Sequence, residues 1–161
     1  MDLGAVICRP KAPLCDRCPL ENGCDARRLG APDAYPRKSP KAERPRRHGA
    51  AFVLTNAGRV ALVQRPPKGL LGGMLGLPTT DWRDRPLASE EALRAAPQAP
   101  QWRSLGPVDH VFTHFALTLE VWRAEAEQRD PGFTWLPIDQ AARSLPSVFL
   151  KAMRTGLSGL L

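Results

Sequence analysis

The sequence lacks any long apolar run, and none approaches the roughly 18–20 residues that a helix needs to span a bilayer. It also lacks a basic leader, because only a short apolar stretch precedes Cys8. We therefore expect no membrane span and no secretion signal, and a soluble, intracellular protein. Its 161 residues are enough for one ordinary domain and an appendage.

Cysteine is absent after position 24. The four cysteines follow the spacing C-x6-C-x2-C-x5-C, at Cys8, Cys15, Cys18 and Cys24. Such a local group indicates one site and not a framework of disulfides spread over a fold. Four thiolates suit either an iron–sulfur cube or tetrahedral zinc, although zinc sites usually pair two short knuckles and only one is present. A disulfide pair is a third interpretation, which the missing secretion signal disfavours.

Positive charge is concentrated in the first third of the chain. The formal net charge is +7, and residues 36–47 hold six Lys or Arg against the single acid Glu43. Such a segment attracts a polyanion, for which nucleic-acid phosphate is the commonest example, or it is a solvated linker. Pro32, Pro36, Pro40 and Pro45 forbid a regular helix and predict an extended spacer. We expect a domain boundary near His48.

The remainder of the chain predicts strands first and helices later. Apolar runs at residues 50–55 and 60–64 flank the sequence Asn-Ala-Gly, which is typical of a turn. Together they predict a hairpin. Residues 115–122 alternate apolar and polar side chains, which is typical of a half-buried strand. A helix starting at Ser89, a last strand over 133–136 and helices over 138–145 and 147–154 complete the prediction. This order indicates an α+β fold with a mixed sheet.

The cysteine spacing resembles the 4Fe–4S loop that closes the catalytic domain of helix-hairpin-helix DNA glycosylases, including adenine glycosylases. Residues 1–5, Pro13 and the Cys18-Pro19-Leu20 sequence agree with that loop. The resemblance implies a 4Fe–4S cluster held by Cys8, Cys15, Cys18 and Cys24, with zinc as the alternative. It also implies contacts to DNA phosphate from basic residues of the loop, for which the matching candidates are Lys11, Arg17, Arg27 and Arg28.

Residues 64–78 resemble the carboxy-terminal domain of adenine glycosylases, which has a nudix fold, and the likeness covers nearly all of residues 50–155. Nudix hydrolases carry several glutamates on one helix, because divalent metal at a pyrophosphate demands oxygen ligands. That pattern is absent, and Glu90 and Glu91 are the only adjacent acids. We therefore expect this domain to bind its ligand without cleaving it.

The sequence His-Val-Phe-Thr-His-Phe at 110–115 resembles the Phe-Ser-His motif with which adenine glycosylases recognise 8-oxoguanine opposite adenine. Thr113 stands where the family usually has Ser. Oxidation turns guanine N7 into a donor, and a hydroxyl can accept from it. The resemblance implies lesion recognition by Phe112, Thr113 and His114. The alternative is that the strand begins one residue earlier and these residues are an ordinary strand entry.

Together these observations predict an iron–sulfur loop over residues 1–30, a basic Pro-rich linker over 31–48 and a nudix-like α/β sandwich over 49–161. The expected function is base-excision repair, as the DNA-binding and 8-oxoguanine-recognising part of an adenine DNA glycosylase. We expect a truncated chain that is inactive alone, because the family's catalytic residues precede the cluster. We also expect a monomer in the bacterial cytoplasm, associated with the nucleoid, on double-stranded DNA containing 8-oxoguanine opposite adenine.

Two other functions compete with this interpretation. One is a nudix hydrolase that acts on oxidised nucleoside triphosphates and carries a zinc-binding arm. The other is a zinc-dependent DNA-binding adaptor with no preference for oxidised guanine. The missing glutamates argue against the first, and the combination of the cysteine spacing with the Phe112–His114 sequence argues against the second.

Overall fold

A computed structural model of the protein describes residues 2–35 and 44–158. The chain divides into two compact units, residues 1–43 and 44–161. In these described ranges, no helix is both long enough and apolar enough to cross a bilayer. Residues 36–43, the larger part of the Pro-rich basic segment, lie outside the described residues, and their extended conformation stays a prediction.

The first unit is built from short turns. Helix α1 (Leu3–Val6) follows Asp2, whose carboxylate accepts a hydrogen bond from the backbone N of Gly4 at 3.0 Å. A side-chain oxygen at this position satisfies one of the free N–H groups of the first turn. The remaining elements are 3₁₀ helices at Cys15–Arg17, Glu21–Gly23 and Pro32–Ala34, and helix α2 (Asp25–Arg28).

The second unit contains one sheet and, in its described part, three helices. The strands are β1 (Arg46–Asn56), β2 (Arg59–Gln64), β3 (Leu75–Gly76), β4 (Arg103–Val111), β5 (Ala116–Glu125) and β6 (Thr134–Pro137). The helices are α3 (Ser89–Arg94), α4 (Ile138–Ser144) and α5 (Ser147–Leu157). The strand order is β3-β2-β1-β5-β4, and β6 pairs with the other part of β2.

The sheet is mixed, as the sequence predicts. β1 and β5 pair in parallel from Arg46 opposite Ala116 to Thr55 opposite Glu125, and the other pairs are antiparallel. Alternate residues of β1 face opposite sides of the sheet: Val53 packs in the cluster that contains α5, and Phe52 in the cluster that contains α3. Because both faces are covered, β1 is a continuous buried run from residue 49 to residue 55.

Most of the predicted elements are confirmed. The first hairpin turns at Ala57 and Gly58, whose φ angles of 46° and 72° suit a two-residue turn between twisted strands. In β5, Leu117, Leu119 and Val121 are fully buried, as the alternating pattern predicts. The last strand and the two C-terminal helices lie within a few residues of their predicted bounds.

Two expectations need correction, and one strand was missed. Ser89 is the first residue of α3 and makes no capping hydrogen bond; Ala88 stands at the cap position. The predicted linker, residues 31–48, overlaps β1, because the chain joins the sheet directly after Pro45, whose carbonyl accepts from Ala116 N. Strand β4 was not predicted, since Gly106 and Pro107 interrupt its pattern and the structure places a register shift between Ser104 and Pro107.

The close approach of α5 to β1 yields a stability prediction. A Cβ added at Gly156 would lie 2.5 Å from Val53 Cγ2, in a fully buried part of the core. Overpacking of this kind costs about 1–3 kcal/mol, and the better helix propensity of alanine returns at most about 1 kcal/mol. We expect Gly156→Ala to lower the free energy of unfolding by about 1–2 kcal/mol in urea denaturation.

The matched control is Arg154→Ala, at an exposed position of the same helix. It should change the free energy of unfolding by less than about 0.5 kcal/mol. Equal effects of the two substitutions would contradict the packing argument.

Candidate functional site

A tight hairpin between β4 and β5 carries the three residues predicted to recognise the lesion. Val111 pairs with Ala116 at its base, and the backbone N–H of Phe112 donates to the Phe115 carbonyl at 2.9 Å. The turn is therefore centred on Thr113 and His114, and both are exposed. None of the three predicted residues belongs to a strand, so the interpretation of them as a strand entry is wrong.

An aromatic cluster fixes the base of this hairpin. Phe112 stacks on Trp82 at 6.0 Å between ring centroids, and lies 4.9 Å from Phe115 and 4.6 Å from the His110 ring. Phe112 is half-buried and packs against the main core. Aromatic pairs at these separations stabilise by about 0.5–1.5 kcal/mol each beyond the burial of their surface. The hairpin thus presents Thr113 and His114 outwards, while Phe112 anchors it to the domain.

The four cysteines of the first unit line a single cavity of about 380 Å³. Leu14 N donates to the Ile7 carbonyl at 3.0 Å, and Cys18 N donates to the Cys15 carbonyl at 3.0 Å, so short turns bring the cysteines together. No disulfide links them. Apolar side chains complete much of the wall, among them Ile7, Pro13, Ala26 and Pro32. The structure thus gathers all four predicted ligands around one space.

A cavity lined by four thiols can hold either one metal ion or a cluster of several, and the two differ in how far apart the sulfurs lie. Within the described ranges 2–35 and 44–158, no group of three or more His, Cys, Asp or Glu side chains could hold a metal ion. A tetrahedral ion with Zn–S bonds of about 2.3 Å would draw its four sulfurs to about 3.8 Å from one another. An iron–sulfur cube binds each cysteine through a different iron, so its ligands surround a larger volume.

The four basic residues predicted to contact phosphate fall into two groups. Arg27 is half-buried on the cysteine cavity and donates two hydrogen bonds to one oxygen of Asp16, at 2.9 and 3.0 Å. Its hydrogen bond to Asp16, with the charge of Glu21, raises the pKa of Arg27. Arg28 pairs with Asp25 at 2.7 Å. By contrast, the exposed Lys11 and Arg17 form no ion pair within the described part of the chain.

The two adjacent acids of the second unit, Glu90 and Glu91, both pair with arginines. Glu91, at the start of α3, pairs with Arg83 and with Arg85, and Glu90 lies 3.8 Å from Arg94 one turn later. Helix α3 has only six residues, too few to present several carboxylates along one face. This arrangement offers no site for divalent metal at a pyrophosphate.

Sequence reasoning missed the residues around the hairpin's aromatic cluster. The guanidinium of Arg47 lies 4.8 Å from the centre of the Phe115 ring, and that of Arg65 lies 5.3 Å from the Trp82 ring. Trp82 itself packs in the cluster by stacking on Phe112. No sequence pattern joins these residues, because they come from three separate segments that meet only in the folded domain.

Comparison with known proteins agrees with this architecture. The NUDIX domain family matches residues 50–155, two thirds of the chain. The chain therefore belongs to the NUDIX domain family. The NUDIX domain of Shewanella oneidensis NrtR, solved with ADP ribose, superposes with a TM-score of 0.58 at 17% identity, covering 86% of this chain and 99% of that one. That likeness concerns the fold alone.

More specific likenesses extend over both units. Adenine DNA glycosylase of Homo sapiens is 27% identical, over 94% of this chain and 38% of its own length. Adenine DNA glycosylase of Mus musculus is 26% identical, over 94% of this chain and 40% of its own length. The chain thus spans about two fifths of the length of these relatives. The C-terminal domain of mouse MUTYH, solved in complex with human PCNA, has a TM-score of 0.51 at 26% identity, over 68% of this chain and 86% of that domain. The chain resembles the C-terminal part of an adenine DNA glycosylase.

The environment of His110 yields a prediction on pH. Burial against the hairpin, with a smaller effect of the positive charge of Lys151, lowers the pKa of His110 below its usual value of about 6.5. The unfolded chain then binds more protons than the folded one as the pH falls below about 6.5, so the stability due to neutral His110 is lost on acidification. We expect the free energy of unfolding to fall between about pH 7 and about pH 5.

Urea denaturation across this pH range, compared with His110→Gln, checks the assignment. The variant should show a shallower dependence of unfolding free energy on pH, because glutamine does not titrate. An unchanged slope in the variant would show that other groups cause the pH dependence.

Proposed function

We propose that this chain is the DNA-binding, lesion-recognising part of an adenine DNA glycosylase, and that it recognises 8-oxoguanine opposite adenine. One observation carries the proposal: a hairpin anchored by Phe112 exposes Thr113 and His114 at its tip, in a chain that matches relatives named adenine DNA glycosylase over 94% of its length. The pairing of Glu90 and Glu91 with arginines supports recognition over hydrolysis.

The chemistry of the tip suits oxidised guanine. The Thr113 hydroxyl both donates and accepts, so it can accept a hydrogen bond from N7–H of 8-oxoguanine. Guanine has no hydrogen at N7. With guanine in the same place, the Thr113 oxygen and N7 would face each other as two acceptors, unless the hydroxyl turned to donate its hydrogen. His114 is exposed beside Thr113 and can reach a phosphate or the base. Phe112 contributes by holding the turn, since its ring faces Trp82 and Phe115.

The first experiment compares binding to two short duplexes that differ only in 8-oxoguanine or guanine opposite adenine, at one stated salt concentration. We expect a preference for the oxidised duplex that falls about tenfold in Thr113→Val, because the variant keeps the shape and loses the hydrogen bond. Thr113→Ser is the matched control and should retain the preference. Equal binding of both duplexes by the unmodified protein would refute lesion recognition.

For the first unit, we propose a 4Fe–4S cluster held by Cys8, Cys15, Cys18 and Cys24. One observation supports it beside the cysteine spacing: all four thiols border one cavity. Such a cluster would stabilise the loop by cross-linking four points of a segment that has no long helix. Arg27 would brace the loop through Asp16, and Lys11 and Arg17 would be the residues free to contact DNA phosphate.

Anaerobic reconstitution with iron and sulfide tests the cluster. We expect about four iron and about four sulfide per chain. Cys18→Ser should lose most of this iron, whereas Glu21→Gln, which alters a carboxylate on the same cavity, should keep it. Purification with one tightly bound zinc and no iron would support the zinc alternative and contradict the proposal.

Removal of adenine is proposed for the longer protein of which these residues would form the C-terminal part. The matched region of the relatives covers about two fifths of their length, and excision of a base requires a pocket that receives it. We therefore expect these 161 residues to contribute recognition and affinity, with the chemistry carried by residues outside the matched region.

A further inference from the structure

A groove of about 620 Å³ lies beside the hairpin of the second unit. Its walls come from the start of β1, the end of β2 and the segment after β3, and it shares Trp82 and Phe115 with the hairpin's aromatic cluster. Two arginines, Arg47 and Arg65, border it. The groove is therefore continuous with the surface that presents Thr113 and His114.

Both arginines are held in place by aromatic rings and not by acids. The Arg47 guanidinium lies over Phe115 at 4.8 Å, and that of Arg65 lies between Trp82 at 5.3 Å and Phe149 at 5.6 Å. Neither forms an ion pair with any residue that the structure describes. A guanidinium on a ring face keeps the N–H groups in its own plane available to an anion such as phosphate.

Arg65 also has a buried nitrogen atom that lacks a hydrogen-bond acceptor among the described residues. It is half-buried, and its Nε atom is buried with no hydrogen-bond partner among the described residues. Removing a cation from water without a counter-charge is unfavourable, and aromatic faces offset only part of that cost. An anion in the groove would offset more of it.

We propose that this groove binds the DNA backbone next to the base read by the hairpin, with Arg47 and Arg65 contacting phosphate. The proposal rests on the proposed function, because it takes the hairpin tip as the point where DNA meets the domain. DNA is favoured over a free nucleotide because the groove is open and extends to Phe115, at the base of the hairpin whose tip is exposed. Asp81 also lines the groove, and its carboxylate opposes the phosphate there.

The test measures the dissociation constant of the whole chain for both duplexes over a series of salt concentrations. We expect Arg47→Gln and Arg65→Gln each to weaken binding about fivefold and to reduce the slope of log affinity against log salt by about 0.9. Binding of the two duplexes should weaken by the same factor, because phosphate contacts carry no information about the base. Asp81→Asn should strengthen binding to both about twofold, through loss of a repelling charge.

Arg143→Gln is the matched control, since Arg143 is exposed on α4 and has no ion pair in the described part of the chain. If Arg65→Gln proves unstable, Arg47→Gln alone is used for the test, because Arg47 is exposed. The proposal that the groove binds DNA would be overturned if Arg47→Gln and Arg143→Gln had equal affinities and equal slopes of log affinity against log salt. Competition by free 8-oxoguanosine monophosphate at micromolar concentration would also overturn it, by assigning the groove to a nucleotide; weak competition supports DNA.

The two proposals fail in different ways. If Thr113→Val leaves the ratio of the two affinities unchanged while Arg47→Gln lowers both, the groove binds DNA and the hairpin does not read the lesion. If the ratio depends on Thr113 but neither arginine affects the salt slope, the hairpin reads the lesion without this groove. The ratio reports base recognition, and the slope reports phosphate contact.

Discussion

The parallel pairing of β1 with β5 is the constraint on which the second unit depends. It sets Arg46 opposite Ala116, which is the first residue of β5. The first residues of β1 therefore lie beside the end of the turn that joins β4 to β5. As a direct consequence, the Arg47 guanidinium reaches the face of Phe115. β1 is in addition buried on both faces, by the cluster that contains α5 and by the cluster that contains α3. A shift of one residue would turn the apolar residues of β5 away from the main core.

The domain keeps the nudix sheet but directs its charges differently from a hydrolase. The acids of α3 neutralise neighbouring arginines, and α3 itself is only six residues long. Two guanidinium groups, those of Arg47 and Arg65, have no ion pair among the described residues and lie instead on aromatic rings near the hairpin. Carboxylates at that place would attract divalent metal, whereas guanidinium groups attract phosphate. The charges placed on this fold thus suit phosphate better than divalent metal.

The first unit depends on different physics. Among its described residues, 2–35, no helix is longer than four residues and no helix has a buried side chain, so a hydrophobic core contributes little to this part. Four thiols around one cavity, with Arg27 bridging two turns through Asp16 and Glu21, are its organising features. Units this small usually need disulfides, a metal centre or oligomerisation to stay folded.

Much of this protein could be predicted from the sequence because the deciding signals are local. The spacing from Cys8 to Cys24, the alternation in β5 and the turn at Gly58 each depend on residues close together in the chain. Strand β4 was not predicted, because its bulge interrupts the alternation of apolar and polar residues. The sequence also could not distinguish Phe112 at the base of a hairpin turn from a residue that begins a strand. Only the tertiary structure decided that Arg47, Arg65 and Trp82 surround the hairpin. They meet through long-range strand pairing, whose register no local pattern specifies.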